Sequence, residues 1–202
     1  MTSLAAELAR VGLTSLAHVR TVHVTQPGDG AQDAARLADG AADLVVVDAD
    51  PGPGALPALA LLLDVEPVSV VGTVAGPDWA AQVVAVRNGL RRVRPHLGDY
   101  PSLLDRLEDP VLTRTAALVG GLAERRTPVL LGSSVTVLTA ALLARWHEPA
   151  ATRWWLVSAA PDDVAGPLAL SALGLPALLD LGLGPHASRY ALAVLHEALA
   201  DA

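Results

Sequence analysis

The sequence DLVVVDADPGPG, residues 43–54, joins a run of four apolar residues to two carboxylates and a turn rich in glycine and proline. Valine is β-branched and suits a strand that is buried on both faces, as in a parallel sheet. Proline and glycine end the strand, and a helix-compatible segment follows at residues 55–63. A strand, an acidic turn and a helix in this order are typical of open α/β sheets, which bind ligands beyond the carboxyl ends of their strands.

Similar units flank this one on both sides. Apolar runs predict strands at residues 20–25, 44–47, 67–72, 127–131, 154–158 and 178–183. The segments between them predict helices, and the connections are short. We therefore expect a single α/β domain, residues 1–202, built on a doubly wound, mainly parallel sheet of about six strands with helices on both faces, a three-layer α/β/α arrangement.

The composition narrows the class of protein. A net charge of −7 argues against a surface for nucleic acid or anionic membranes. No stretch of about 18 apolar residues is free of charge, proline or glycine, so we expect no membrane span. The chain has no cysteine, which excludes disulfides and thiolate sites, and no lysine, which excludes a lysine Schiff base. We expect a cytoplasmic protein.

Glycine, serine and acidic residues follow several of the predicted strands, where a ligand would bind. The candidates are Asp48, Asp50, Gly52, Gly54, Gly72, Gly76, Asp78, Ser133, Ser134 and Asp163. A plainer alternative stays open for each type, because the acids also suit turns and helix caps, and the serines suit an N-cap as well as an anion site. A common site requires that the loops near Asp50, Asp78, Asp163 and His186 surround one open pocket.

General catalytic motifs are absent from the sequence. The stretch Gly52-Pro53-Gly54 lacks the third glycine of a dinucleotide fingerprint, and Pro53 removes an amide that a phosphate would need. There is no Walker lysine and no G-x-S-x-G elbow. The six histidines show no metal-ligand spacing, so we expect no metal and no cofactor, and we interpret His23 as a partly buried strand residue rather than a ligand.

From about residue 31 onward, the chain resembles one family in three segments. Residues 70–78, VVGTVAGPD, resemble the family's V-V-G-x-G-T-G-I-D-D. Residues 126–131, RTPVLL, resemble the start of R-x-P-V-x-x-D-G-F-I, and residues 172–183, ALGLPALLDLGL, are close to A-L-G-L-x-P-L-L-D-L-G-L. In this order and spacing the segments are similar to the nicotinate-nucleotide:dimethylbenzimidazole phosphoribosyltransferases of cobamide (vitamin B12) lower-ligand activation.

Other motifs of that family are altered here. Its catalytic glutamate lies in R-L-G-E-G-T-G-A, whereas residues 184–190 read GPHASRY, with His186 nearest the glutamate's place. Its H-R-S-A-E-P-G-H becomes AAPDDVAG at residues 159–166, where Asp163 is the surviving acid. The acid of G-E-M-G-I-G-N-T-T falls at Asp48 or Asp50 without the Asn and Thr donors, and the Asp of D-G-F-I is Gly132.

The resemblance implies transfer of phosphoribose from nicotinate mononucleotide to a benzimidazole by a homodimer, with a nucleotide or an aromatic base as the small-molecule partner. It assigns His186 and Asp163 to the catalytic site, and the other candidates, together with Ser188, to substrate and phosphate binding. Because each lost contact is worth about 2–4 kcal/mol in the transition state, we expect catalysis to be weakened or lost, and whether the chain is an enzyme stays open. The alternative is a non-catalytic subunit that binds a small ligand or regulates a partner while retaining the fold.

Overall fold

The valine run at residues 44–47 forms a fully buried strand of a five-stranded parallel sheet. The structure, a computed structural model, describes residues 3–72 and 78–200. The strands are β1 (Val19–Val24), β2 (Leu44–Ala49), β3 (Val129–Leu131), β4 (Trp155–Ala159) and β5 (Ala177–Leu179). The α-helices along the described residues are α1 (Leu4–Val11), α2 (Gly30–Asp39), α3 (Ala55–Leu63), α4 (Pro67–Val71), α5 (Trp79–Val93), α6 (Tyr100–Arg106), α7 (Pro110–Glu124), α8 (Val135–His147), α9 (Ala165–Leu173) and α10 (Ala187–Ala200).

The side chains of β2 point alternately to the two faces of the sheet and contribute to two separate halves of the core. Val45 and Val47 face one half, which α2, α3, α7, α8 and α9 complete, whereas Leu44 and Val46 face the other, which α1 and α10 cover. Successive side chains of a strand point to opposite faces, so a sheet buried on both sides needs this continuous apolar run. The expected α/β class, with a parallel sheet in the middle of three layers, is confirmed.

The strands lie side by side in the order in which they occur along the chain. The winding therefore differs from the expected doubly wound pattern. Right-handed crossovers that always advance in one direction place their helices on a single face. The opposite face is covered by the terminal helices α1 and α10, which pack on Leu44, Val46, Leu130 and Leu156.

The predicted strand at residues 67–72 is wrong, because Pro67–Val71 is the short helix α4. Proline fits the first turn of a helix, where its missing N–H costs nothing, and the two buried residues of this helix, Pro67 and Val70, face other helices rather than a strand. The sheet consequently has five strands instead of about six. The predicted strand at residues 178–183 is also shorter than expected and ends at Leu179.

Candidate functional site

The carboxyl ends of the five parallel strands form one edge of the sheet, which is where such folds bind ligands. Asp48 lies near the end of β2, Ser133 and Ser134 follow β3, and Asp163 follows β4. The start of α10, which includes Ser188, follows the turn after β5. These predicted residues therefore belong to the same edge.

Asp48 joins three of these segments. Its Oδ1 accepts a hydrogen bond from the Ser188 hydroxyl at a distance of 2.8 Å, although 140 residues separate the two. Gly132 is the first residue after β3, and a Cβ at this position would overlap the same carboxylate oxygen. The absence of a side chain at residue 132 thus provides the space that the Asp48 carboxylate fills.

The environment of Asp48 makes its carboxylate a better proton acceptor than an exposed one. Burial raises the pKa of the Asp48 carboxyl, while the Ser188 hydrogen bond and the charge of His23 act in the opposite direction. A carboxylate that is desolvated but still partly accessible binds a proton more tightly than a solvated one. This is the electrostatic signature of a candidate acid–base group.

His23 and Asp50 form a second pair beside Asp48. The His23 Nε2 atom lies 2.9 Å from Asp50 Oδ1, and about half of each side chain is exposed. The strand register pairs His23 with Asp48, so both side chains point to the α10 face of the sheet. His23 is therefore more exposed than the sequence suggested, and the structure brings it to the same edge as the two acids.

The glycine turn after β2 is held by Asp109, an acid outside the candidates that follow the strands. Asp109, which is 2% exposed, accepts hydrogen bonds from the Gly54 N–H at 2.8 Å and the Leu112 N–H at 2.9 Å. A Cβ at Gly52 or Gly54 would overlap the Asp109 side chain. These two glycines thus permit close packing against Asp109, and the Gly54 amide is already bound. The residues Asp109 and Pro110 carry an N-cap signal, but no local pattern indicates the Gly54 partner.

The serines after β3 lie where α8 begins. Ser134 is the N-cap of α8 and accepts a hydrogen bond from the Val137 N–H at 3.3 Å. Ser133 is buried, and its backbone precedes a helix that points its N-terminus toward the edge. Ser134 therefore has the capping role that the sequence left open, while the first turn of α8 offers further N–H groups to an anion.

The loops after β4 and β5 touch each other through Asp162 rather than Asp163. A Cβ at Gly182 would lie 3.1 Å from the Asp162 Cβ, and one at Gly184 would lie 3.3 Å from Asp162 Oδ2. The Asp163 carboxylate instead accepts a hydrogen bond from the Gly166 N–H in the first turn of α9. His186 ends a short 3₁₀ turn, Gly184–His186, and is exposed.

The segment before α5 meets the loop after β4. The Gly72 carbonyl accepts a hydrogen bond from the Trp79 indole N–H at 2.6 Å, and a Cβ at Gly72 would lie 2.9 Å from Val164. Asp78 immediately precedes α5 and is exposed. Gly76 falls outside the described residues.

His23 and Asp50 expose this edge to solvent, since about half of each side chain is accessible. Among the surface cavities of the described residues, five of about 220–430 Å³ are lined by residues other than Asp48, Asp50, Asp163 and His186. The expected single pocket around these loops is therefore not one of these cavities. Residues 3–72 and 78–200 contain no group of three or more metal-ligating side chains, and none of their helices is long and apolar enough to cross a bilayer.

Comparison with known proteins identifies relatives of most of the chain. A family model described as Phosphoribosyltransferase matches residues 29–195. The nicotinate-nucleotide–dimethylbenzimidazole phosphoribosyltransferase of Mycobacterium tuberculosis is 41% identical over 182 residues, which cover 85% of this chain and 50% of that protein. The protein of the same name from Corynebacterium efficiens is 43% identical over 121 residues, or 58% of this chain and 33% of the relative.

A solved structure supports the same relationship. The crystal structure of CobT from Thermus thermophilus matches with a TM-score of 0.71 at 27% identity and covers 84% of this chain and 53% of its own. The chain spans about half the length of the Mycobacterium and Thermus relatives and a third of the Corynebacterium protein.

Proposed function

The chain belongs to the nicotinate-nucleotide–dimethylbenzimidazole phosphoribosyltransferase family, and we propose that it transfers phosphoribose from nicotinate mononucleotide to a benzimidazole base in cobamide lower-ligand synthesis, at a low rate. The observation that carries this proposal is the partly buried Asp48 carboxylate, which lies at the carboxyl edge of the sheet and accepts a hydrogen bond from Ser188. A desolvated carboxylate at this edge is suited to accept the proton that the reaction releases.

The proposed reaction replaces one glycosidic bond with another and transfers one proton. An imidazole nitrogen of the base forms a bond to the ribosyl carbon, and the bond from that carbon to nicotinate breaks. Nicotinate leaves with the electron pair, which neutralises its pyridinium ring. The proton on the attacking base passes to the Asp48 carboxylate, so that the atoms and charges balance without a further reactant.

Asp48 is a better candidate for the proton acceptor than His186. Asp48 is partly buried and held by a hydrogen bond, and a catalytic base must be held in one position to act efficiently. His186 is exposed at the end of a 3₁₀ turn. Asp163 binds the backbone of α9, which favours a supporting role for it over direct proton transfer.

Phosphate and ribose would bind on either side of Asp48. The first turn of α8, which Ser133 and Ser134 precede, presents N–H groups to an anion. Asp50 is half exposed next to Asp48 and suits the ribose hydroxyls. The turn at Gly52 and Gly54 is a weaker candidate for the phosphate site, because the Gly54 N–H already donates a hydrogen bond to Asp109. Fewer free donors at the edge imply a slower reaction.

Substrate binding can be tested by thermal unfolding. A ligand at 100 times its Kd stabilises the native state by about 2.7 kcal/mol. For a chain of this size we expect nicotinate mononucleotide to raise the Tm by roughly 5–10 °C under those conditions. Uridine monophosphate, which has the same phosphate but a different base, serves as the control. If neither nicotinate mononucleotide nor dimethylbenzimidazole changes the Tm at millimolar concentration, both the transfer reaction and a non-catalytic binding role at this edge are wrong.

We also propose a homodimer in the cytoplasm. The open edge leaves room for a second protein surface beside Asp48, and an interface there would exclude water from the transfer. Light scattering of the purified protein at micromolar concentration should give twice the mass of the 20.7 kDa chain. A monomer mass at every concentration tested would rule the dimer out.

A further inference from the structure

Residues that are neighbours in the strand register form a row across the sheet that includes Asp48. The register pairs His23 with Asp48, and it pairs Val47 with Leu131 and Leu131 with Val157. One residue further along each strand, the same register places Gly132 next to Asp48 and Ser158 next to Gly132. Because Val47, Leu131 and Val157 face the half of the core opposite α10, the residues after them face α10.

Ser158 is an unexplained polar residue in this row. Its side chain is completely buried, and its hydroxyl has no hydrogen-bond partner among the described residues. A buried hydroxyl without a partner destabilises the native state, so such groups usually bind a water molecule or serve a site. Ser158 lies two strands from Asp48 and on the same face of the sheet, which α10 covers.

The strand spacing gives the approximate distance between the two residues. Neighbouring strands lie about 4.8 Å apart. The Asp48 carboxylate leans over Gly132 and overlaps the position that a Cβ would take there. Its oxygen therefore lies above β3, and Ser158 on β4 is roughly one strand spacing away. This separation is too long for a direct hydrogen bond but suits one bridging water.

We propose that Ser158 is a positioning residue of the Asp48 centre, which donates a hydrogen bond through one water molecule to the Asp48 carboxylate. Ser188 holds the carboxylate from α10 and Ser158 holds it from β4, so the Asp48 side chain is fixed in one orientation. Its remaining lone pairs then point to the open edge, where the proposed reaction supplies a proton. The contact between the two residues does not depend on the proposed function, whereas its catalytic consequence does.

The groups that face Asp48 can each be named. His23 faces it from β1, Ser188 from α10 and Gly132 from β3, and Ser158 lies in the same row on β4. His23, which pairs with Asp50, is the titratable neighbour in this set, and β1 and β4 lie on opposite sides of Asp48. A change in the titration of Asp48 on removal of the Ser158 hydroxyl therefore reports the proposed contact.

The contact can be measured by NMR titration of the Asp48 side-chain carboxyl in the whole chain. Donors to a carboxylate favour its ionised form, so Ser158→Ala should shift the Asp48 titration to higher pH. Ser158→Thr keeps the hydroxyl and should restore the titration of the unchanged chain. Thr139→Val is the matched control, because the Thr139 hydroxyl is also completely buried and unpartnered in the described residues but lies in α8.

The outcomes decide between a water-bridged contact and a structural hydroxyl. An Asp48 titration that is the same in Ser158→Ala and in the unchanged chain would overturn the proposal, as would an equal shift in Thr139→Val. Where transfer is measurable, Ser158→Ala should lower kcat by about fivefold, the usual net effect of one hydrogen bond, with KM unchanged. A shifted titration without any transfer by the unchanged chain would uphold the contact and refute the proposed function.

Discussion

Replacing Asp48 with asparagine is expected to lower the rate of nicotinate release by about 10²- to 10⁴-fold, the usual contribution of a general base. Asparagine has nearly the same size and keeps an oxygen that accepts the Ser188 hydrogen bond. It cannot accept a proton at neutral pH. The loss should therefore appear in kcat, and the comparison requires initial rates at saturating nicotinate mononucleotide.

The same substitution should leave the protein folded and make it more stable at neutral pH. Burial raises the pKa of Asp48 in the native state, so the native state binds this proton more tightly than the unfolded state. The stability from that proton is fully present below the unfolded value of about pH 4, and is lost as the pH rises through the native value. The urea midpoint of Asp48→Asn should exceed that of the unchanged chain at pH 7.5, and the two should converge near pH 4. A lower midpoint at pH 7.5 would show that the native state gains from the ionised carboxylate.

Removal of the Asp109 side chain should cause a large loss of stability. Asp109 is buried, caps α7 through the Leu112 N–H and binds the Gly54 N–H of the turn after β2. The lost cap costs about 1 kcal/mol, and the buried Gly54 amide left without a partner costs about 1–3 kcal/mol. We expect Asp109→Ala to lower the free energy of unfolding by about 2–4 kcal/mol, as measured by urea denaturation.

Asp99 provides the control for the capping part of this effect. Asp99 caps α6 through the Ser102 N–H, but it is exposed, and this partner lies only three residues away in the same helix end. Asp99→Ala should therefore remove only the cap, and its urea midpoint should fall less than that of Asp109→Ala. Equal losses for the two alanine variants would mean that the bond from Gly54 to Asp109 adds nothing to stability.

The strands that form the sheet could be predicted where the sequence is both apolar and unambiguous. Residues 44–47 are β-branched or leucine, lie between polar turns and are buried on both faces in the structure. Residues 67–72 share the valine content but begin with a proline in a position that suits a helix. Six residues are too few for a period of two or of 3.6 to be distinguished, so packing against other helices decided the outcome.

Most residues of the candidate site could be named from the sequence, but the contacts between them could not. Asp48 and Ser188 both follow from the sequence, yet nothing local relates two residues that lie 140 positions apart. The strand order was the missing information, because a sequential order brings the start of α10 over the ends of β2 and β3. Asp109 was missed for the same reason, since its local signal indicates a cap and its second partner lies 55 residues away.

The resemblance predicts that His186 takes the place of a catalytic glutamate, because it is the polar residue nearest to that place in a shortened segment. The structure gives it an exposed position on a 3₁₀ turn, whereas Asp48 has the partial burial and the hydrogen bond that a fixed base requires. The assignment of the proton acceptor to Asp48 instead of His186 is a proposal that rests on this difference.

The initial rate of nicotinate release from nicotinate mononucleotide and dimethylbenzimidazole, measured for the unchanged chain, Asp48→Asn and His186→Ala in one assay, tests this assignment most directly. We predict slow release by the unchanged chain, nearly the same rate for His186→Ala and no detectable rate for Asp48→Asn. Retained activity in Asp48→Asn together with its loss in His186→Ala would contradict the assignment. Absence of release by the unchanged chain, with both substrates bound, would contradict the transfer reaction itself.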